Sequence, residues 1–139
     1  MFIGNSLGRT VDILHRTMDV SLLRQSVIAD NVANADTPHF RRSVVNFETQ
    51  LRDALESERP PRFQARLTDE RHIPFHRPID YRTVRPVRQL DYFTQTKNNG
   101  NNVDIEEETM NQLQNQLIYT LMSNSLNAEF RRVSLVLRG

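Results

Sequence analysis

NVANADTPHF, residues 31–40, closes a run of helical hydrophobicity on small and amide-bearing side chains. Upstream, Leu7, Val11, Leu14 and Met18 recur at helical spacing, and Ile28, Val32 and Ala35 resume the line, the period of an amphipathic helix. Ser21 and Gln25 interrupt the line mid-length, while Ile13, Val20, Leu23 and Val27 run beside it. The pattern predicts one long helix over 5–35, apolar over a broad face. At its end Ala33 and Ala35 leave room for a neighbouring helix. Asn31, Asn34, Asp36 and Thr37 carry side chains that satisfy backbone groups and build turns. Pro38 lacks a donor and turns Thr37 away from helical geometry. The stretch reads as a hydrogen-bonded corner between helix and linker, or more plainly as a helix stop.

Working outward, all six prolines lie between 38 and 103. Residues 43–58 have the spacing of a short amphipathic helix through Val44, Phe47, Leu51 and Leu55. From 59 to 88 the prolines recur too often for a regular helix, and short extended pieces are expected at RFQARL and DYRTV. KNNGNNVD, residues 97–104, is a loop followed by a helix start. Asn102 or Asp104 is placed to cap that helix, and Glu106, Glu107 and Glu108 suit the positive end of its dipole. A second long helix follows over 104–137. Leu113, Leu117, Leu121, Asn124 and Ala128 form one line, and Ile118, Met122, Leu126, Phe130, Val133 and Leu137 another.

The expected fold is mainly α: long N- and C-terminal helices packed as a coiled-coil-like pair, joined by an irregular Pro- and Arg-rich middle with room for short strands. The segments are an N-terminal assembly helix over 1–37, an irregular middle over 38–103 and a C-terminal assembly helix over 104–139, together one structural domain. Two helices cannot hide two apolar stripes each against one another. The surplus surface points to a subunit that completes its core by assembly, with helices poorly ordered until it does.

The 139 residues carry a net charge of +1 and a mean hydropathy of −0.59. Near neutrality argues against bulk attraction to nucleic acid or membranes. Cysteine is absent, which excludes disulfides and thiolate chemistry. The start MFIGNSLGRTVDILHR lacks a basic segment followed by an apolar stretch, so no cleaved signal peptide is expected. No run approaches the ~20 apolar residues of a membrane span. His72 and His76 are four apart but Pro74 breaks the helix that would converge them on a metal. No serine sits in a nucleophile elbow, and the four glycines make no phosphate loop. The three consecutive glutamates fan around a helix rather than converge. No enzymatic, cofactor or metal site is therefore expected.

Every basic side chain except Lys97 is an arginine. Arg59, Arg62, Arg66, Arg71, Arg77, Arg82, Arg85 and Arg88, with Phe63, Phe75 and Tyr81 for stacking, keep open an alternative in which the middle binds nucleic acid, though no nucleic-acid module signature accompanies them. Pairing with acidic protein surfaces is the simpler reading, with Arg77, Arg82 and Arg85 as candidate contacts. A helical-hairpin adaptor that binds one partner helix is a third reading.

The opening stretch also resembles a signature of the flagellar axial proteins, the rod, hook and hook-associated family, in which a helix ends in an Asn-Ile-Ala-Asn-Ala-Asn/Asp-Thr-Pro-Gly-Tyr type of sequence. Asn31, Val32, Ala33, Asn34, Ala35, Asp36, Thr37 and Pro38 fit it, and His39 and Phe40 stand where that pattern has Gly-Tyr. RHIPF at 71–75 is similar to a His-Ile-Pro element of rod members. NGNNVDIEEE at 99–108 is similar to their Asp-Gly-Asn-x-Val-Asp motif; Asn102, Val103 and Asp104 are carried over from it, and Asn99 stands where Asp is usual. NQLIYTLMSNSLNAEFRRV resembles their closing helix, and the chain is too short for the inserted domains of distal rod or hook proteins.

The resemblance implies a structural subunit of the proximal rod, in the basal body within the periplasm, exported by the flagellar type III apparatus without signal cleavage. It implies as partners other copies of the chain, other rod proteins, a FliE-like basal-body junction protein and export-gate proteins, with no nucleic acid and no small-molecule substrate. Assembly contacts are expected from Leu7, Val11, Leu14, Met18, Ile28 and Val32 on the first helix. On the second they are expected from Leu113, Leu117, Leu121, Leu126, Phe130 and Val133.

Overall fold

A computed structural model describes residues 6–59, 66, 68–69, 71–73, 77–94 and 97–138. The elements run α1 (Ser6–Ala33), β1 (Ser43–Asn46), α2 (Glu48–Ser57), a 3-10 turn (Tyr81–Thr83), β2 (Val87–Leu90) and α3 (Ile105–Arg138). They fall into two compact units: Met1–Val45 with Arg88–Gly139, and Asn46–Val87.

In the first unit α1 lies against α3. The two run antiparallel, because Ser21 bonds Asn115 while Asn31 bonds Glu108. At ~1.5 Å per residue, 28 and 34 residues make helices of about 42 and 51 Å. The expected long helices are present. α1 buries Val20, Val27 and Ile28, each worth about 1.5–3 kcal/mol, but also Ser21 and Asn31. The buried residues of α3 are Glu108 and Asn115, both polar. The seam near these residues is therefore held by hydrogen bonds as much as by apolar contact. Half-buried Leu7, Val11, Leu14 and Met18 on α1, and Met122, Leu126 and Val133 on α3, supply its apolar part.

β1 pairs with β2. The Asp91 N–H donates to Arg42 O, so the end of β2 meets the start of β1 and the strands are antiparallel. β1 occupies positions where the apolar spacing predicts the start of a helix. Ser43, Val44 and Val45 alternate in burial, Asn31 clamps both backbone groups of Ser43, and the β-branched pair favours the strand. The helix begins instead at Glu48.

The second unit contains α2, which buries Leu51 and Ala54, and the 3-10 turn, which buries Tyr81. DYRTV is thus a turn and not an extended piece. The Asp80 carboxylate accepts the Arg82 N–H at 2.9 Å, and Asp80 O accepts the Thr83 N–H at 2.9 Å, a local closure that competes with extension. RFQARL lies outside the described residues apart from Arg66.

Candidate functional site

α1 ends on its own amides. The Asn34 N–H is shared between Asp30 O and Asn31 O, and the Asn34 side-chain amide also reaches Asp30 O at 2.8 Å. Ala35, Thr37 and Phe40 each donate a backbone N–H to the residue three earlier. The chain then reverses at His39, whose φ of 60° lies in the left-handed region. Glycine adopts this conformation without penalty, and the flagellar pattern has glycine here. In this chain histidine occupies the left-handed turn. The His39 N–H donates to Asn99 O at 3.1 Å, which ties the corner to the loop at 97–103.

That loop supplies what the corner lacks. The Asn101 side chain has no exposed surface. Its Nδ2 donates to the carbonyls of Asn34, Ala35 and Thr37 at 2.8–2.9 Å, and its Oδ1 accepts the Val103 N–H at 2.7 Å. Lys97 Nζ adds a bond to Ala35 O at 2.8 Å. Asn102 faces the other way: Oδ1 accepts the Arg42 N–H at 2.7 Å, and Nδ2 donates to Asp91 O and Thr94 Oγ1. Two adjacent asparagines thus fasten the end of α1, the start of β1 and the end of β2 to the start of α3. Buried polar backbone needs such partners. Asp104, not Asn102, caps α3, its Oδ1 accepting the Glu106 N–H at 2.9 Å.

Beneath this lies a charged cluster. Arg42 reaches Glu107 at 2.6 Å and Glu108 at 3.3 Å, and Asn31 donates to Glu108 at 3.2 Å and to Ser43 O at 2.9 Å. Glu108 is 1% exposed. Burial raises its carboxyl above the usual glutamate value, against the opposing bond from Asn31 and the field of Arg42. Burial also pulls on Arg42, but the bond to Glu107 and the fields of Glu108, Glu107 and Asp91 hold it above its usual value. The Thr94 hydroxyl holds Asp91 below the usual aspartate value. Further along the seam, Ser21 Oγ donates to Asn115 Oδ1 at 2.8 Å, and Asn115 Nδ2 donates back to Ser21 O at 2.9 Å.

The anticipated motif residues divide. Asn31, Ala35, Asn102 and Val103 are buried in the corner, while Ala33, Asp36, Thr37 and Pro38 are exposed on its outer side. Of the anticipated contact residues, Ile28 is buried. Leu7, Val11, Leu14, Met18, Leu126 and Val133 are half-buried. Val32 and Phe130 are exposed, as are Leu113, Leu117 and Leu121 at 53, 58 and 66%. This last line runs along α3 on a face other than that of Glu108 and Asn115. Arg77, Arg82 and Arg85 are exposed in the second unit, where Arg82 stacks over the Tyr81 ring at 5.5 Å. Arg88 pairs with Asp30 at 3.4 Å. Sequence reasoning missed Arg42, Asn101 and Asn115. The signal for Asn101 was present, since the two amide-rich stretches are each other's partners.

Chemically the arrangement binds backbone to backbone. Among the described residues, no three His, Cys, Asp or Glu side chains are placed to hold a metal. Among the described residues, no helix is long and apolar enough to cross a membrane.

Comparison with known proteins bears on what such a frame is for. The model of the family described as "Flagella basal body rod protein" matches residues 16–41, the larger part of α1 that leads into the corner and the corner itself. The flagellar basal body rod protein FlgB of Borrelia hermsii is 43% identical over 134 residues, covering 96% of this chain and 99% of the relative. That of Borreliella burgdorferi is 42% identical over the same extent. FlgB of Bacillus subtilis is 29% identical over 130 residues, covering 94% of each.

Proposed function

This chain belongs to the flagellar basal body rod proteins, and from that membership we propose that it is a subunit of the proximal rod, polymerising through its terminal helices into the inner drive shaft that transmits torque. The family is one of structural components of the flagellar basal body, not of enzymes. One observation supports the finer reading most directly. Leu113, Leu117 and Leu121 stay exposed along α3, and contiguous apolar surface of this kind marks an interaction site. Covered by neighbouring copies, each leucine contributes about 1.5–3 kcal/mol. Many such contacts in parallel resist shear. The partners in this reading are other copies, other rod proteins, a FliE-like junction protein and the export-gate proteins. The rod stands in the periplasm, and the subunit reaches it through type III export without signal cleavage.

The test is the double variant Leu117→Asp, Leu121→Asp. Both side chains are more than half exposed, so unfolding stability of the isolated subunit should move by less than about 0.5 kcal/mol. Incorporation into isolated basal bodies should be lost. A variant that incorporates at the normal level would refute the assembly role of this face.

A further inference from the structure

We propose that Asn99–Gly100 is a modification site: Asn99 deamidates through a succinimide when the loop is open, and the folded loop blocks the reaction. This is the one Asn-Gly step in the sequence. Glycine, lacking Cβ, lets its backbone nitrogen approach the preceding side chain with least obstruction. The reaction needs only base and water. The Gly100 nitrogen loses its proton and attacks Asn99 Cγ; the new C–N bond closes a five-membered imide, and the side-chain amide leaves as ammonia. Water then opens the ring at one carbonyl or the other, giving aspartate or isoaspartate.

Asn99 is exposed, so water and base have access. Six bonds nevertheless hold the pair away from attack. The Gly100 N–H, whose nitrogen is the nucleophile, donates to Lys97 O at 3.2 Å. Asn99 Oδ1, on the carbon to be attacked, accepts the Asn101 N–H at 3.1 Å. Asn99 O accepts the His39 N–H at 3.1 Å, and the Asn101 side chain anchors the following residue to the carbonyls of 34, 35 and 37. Turning the Gly100 nitrogen onto Asn99 Cγ breaks its bond to Lys97 and strains the others. The barrier is therefore added to the cost of opening the loop, and the unfolded chain lacks that protection.

The two products differ in consequence. Aspartate keeps the main chain unchanged and its carboxylate still accepts the Asn101 N–H, at a position where the flagellar motif has Asp. Isoaspartate adds a methylene to the main chain one residue before Asn101 and Asn102, which shifts both out of register with the corner.

The experiment incubates the full chain at mildly alkaline pH, folded and in concentrated urea. Peptide mapping by mass spectrometry follows the one-mass-unit gain at each asparagine, and fragmentation separates aspartate from isoaspartate. In urea, Asn99 should react before any other asparagine, and Gly100→Ala should slow it. In the folded protein the reaction should be slower by about tenfold or more, the factor set by an opening free energy of about 1.4 kcal/mol. On removal of urea the aspartate form should refold and the isoaspartate form should not, while Asn99→Asp should match the wild type in urea midpoint. Equal rates in the two states, or another asparagine reacting first in urea, would overturn the proposal. Isoaspartate chains that refold like the wild type would overturn its structural consequence.

Discussion

Replacing Asn101 with alanine measures how much the corner depends on one amide. The change removes the three bonds from Nδ2 and the one to Oδ1. Their loss is unequal. Asn34 O still accepts the Thr37 N–H, Ala35 O still accepts Lys97 Nζ, and Thr37 O still accepts the Phe40 N–H. These carbonyls lose one of two partners, so the donor side costs the net value of a hydrogen bond, about 0.5–1.5 kcal/mol. The Val103 N–H belongs to a residue with no exposed surface and has Asn101 Oδ1 as its acceptor. Left unsatisfied, it costs about 1–3 kcal/mol. The sum is a loss of about 1.5–4.5 kcal/mol, a large part of the stability of a domain this size. Urea unfolding followed by circular dichroism measures it as a drop in midpoint at unchanged slope. Asn98→Ala, at an exposed position of the same loop, should stay within about 0.5 kcal/mol of the wild type. An Asn101→Ala variant as stable as the Asn98 control would show that the corner stands without the loop, and the reasoning would fail.

Other expectations follow from the same geometry. Glu108→Gln should gain on the wild type as pH rises: burial places the folded carboxyl above its unfolded value, so the folded wild type holds a proton that the unfolded chain has shed and loses stability through that interval. Urea midpoints of the two proteins across that pH window should converge or cross in favour of Gln; a constant gap would refute the burial argument. Gly100→Ala should cost about 1–2 kcal/mol for its left-handed backbone, since φ is +79° and the new Cβ meets His39 Nδ1 at 2.8 Å. His39→Gly should raise the thermal midpoint, because it relieves the same kind of penalty at φ 60°. We propose that Arg77→Glu, Arg82→Glu and Arg85→Glu together reduce incorporation into basal bodies while leaving α-helical circular dichroism intact; normal incorporation would remove these arginines from the interface.

The long helices were legible because their apolar periods run for many turns, and α3 began where the capping aspartate and acidic first turn indicate. The short elements were not. Val44 and Phe47 fit a helical spacing with Leu51 and Leu55, yet Ser43–Asn46 is a strand, because its pairing partners lie at Val87–Leu90 and at Asn31. Four residues carry too little period of their own to reveal a partner some forty positions away. Asn101 and Asn115 were missed for a different reason. An asparagine in a loop or on a helix reads as solvated until a buried carbonyl or serine is set against it, and only the folded chain does that. Arg42 looked like one more surface arginine until Glu107 and Glu108 closed on it.

These buried polar groups explain why the two helices have one register. An apolar seam tolerates sliding by a turn with modest loss, whereas Ser21 against Asn115 and Asn31 against Glu108 are satisfied in one alignment only. Slipping either helix leaves buried donors and acceptors unpaired, each at about 1–3 kcal/mol. The seam thus uses polar groups near the corner, while the leucines of α3 at 113, 117 and 121 are left on an open face. The pairing within the chain is thereby made specific without consuming the surface that contacts with other chains require. A seam variant that replaces Ser21 and Asn115 by Ala and Leu separates the two effects. It keeps or increases helix content through added apolar contact, and should lose the single alignment, read as broadened or doubled amide resonances for 18–33 and 105–118. A variant that retains one sharp set of resonances would show that the charged cluster at Arg42 and Glu108 alone sets the register.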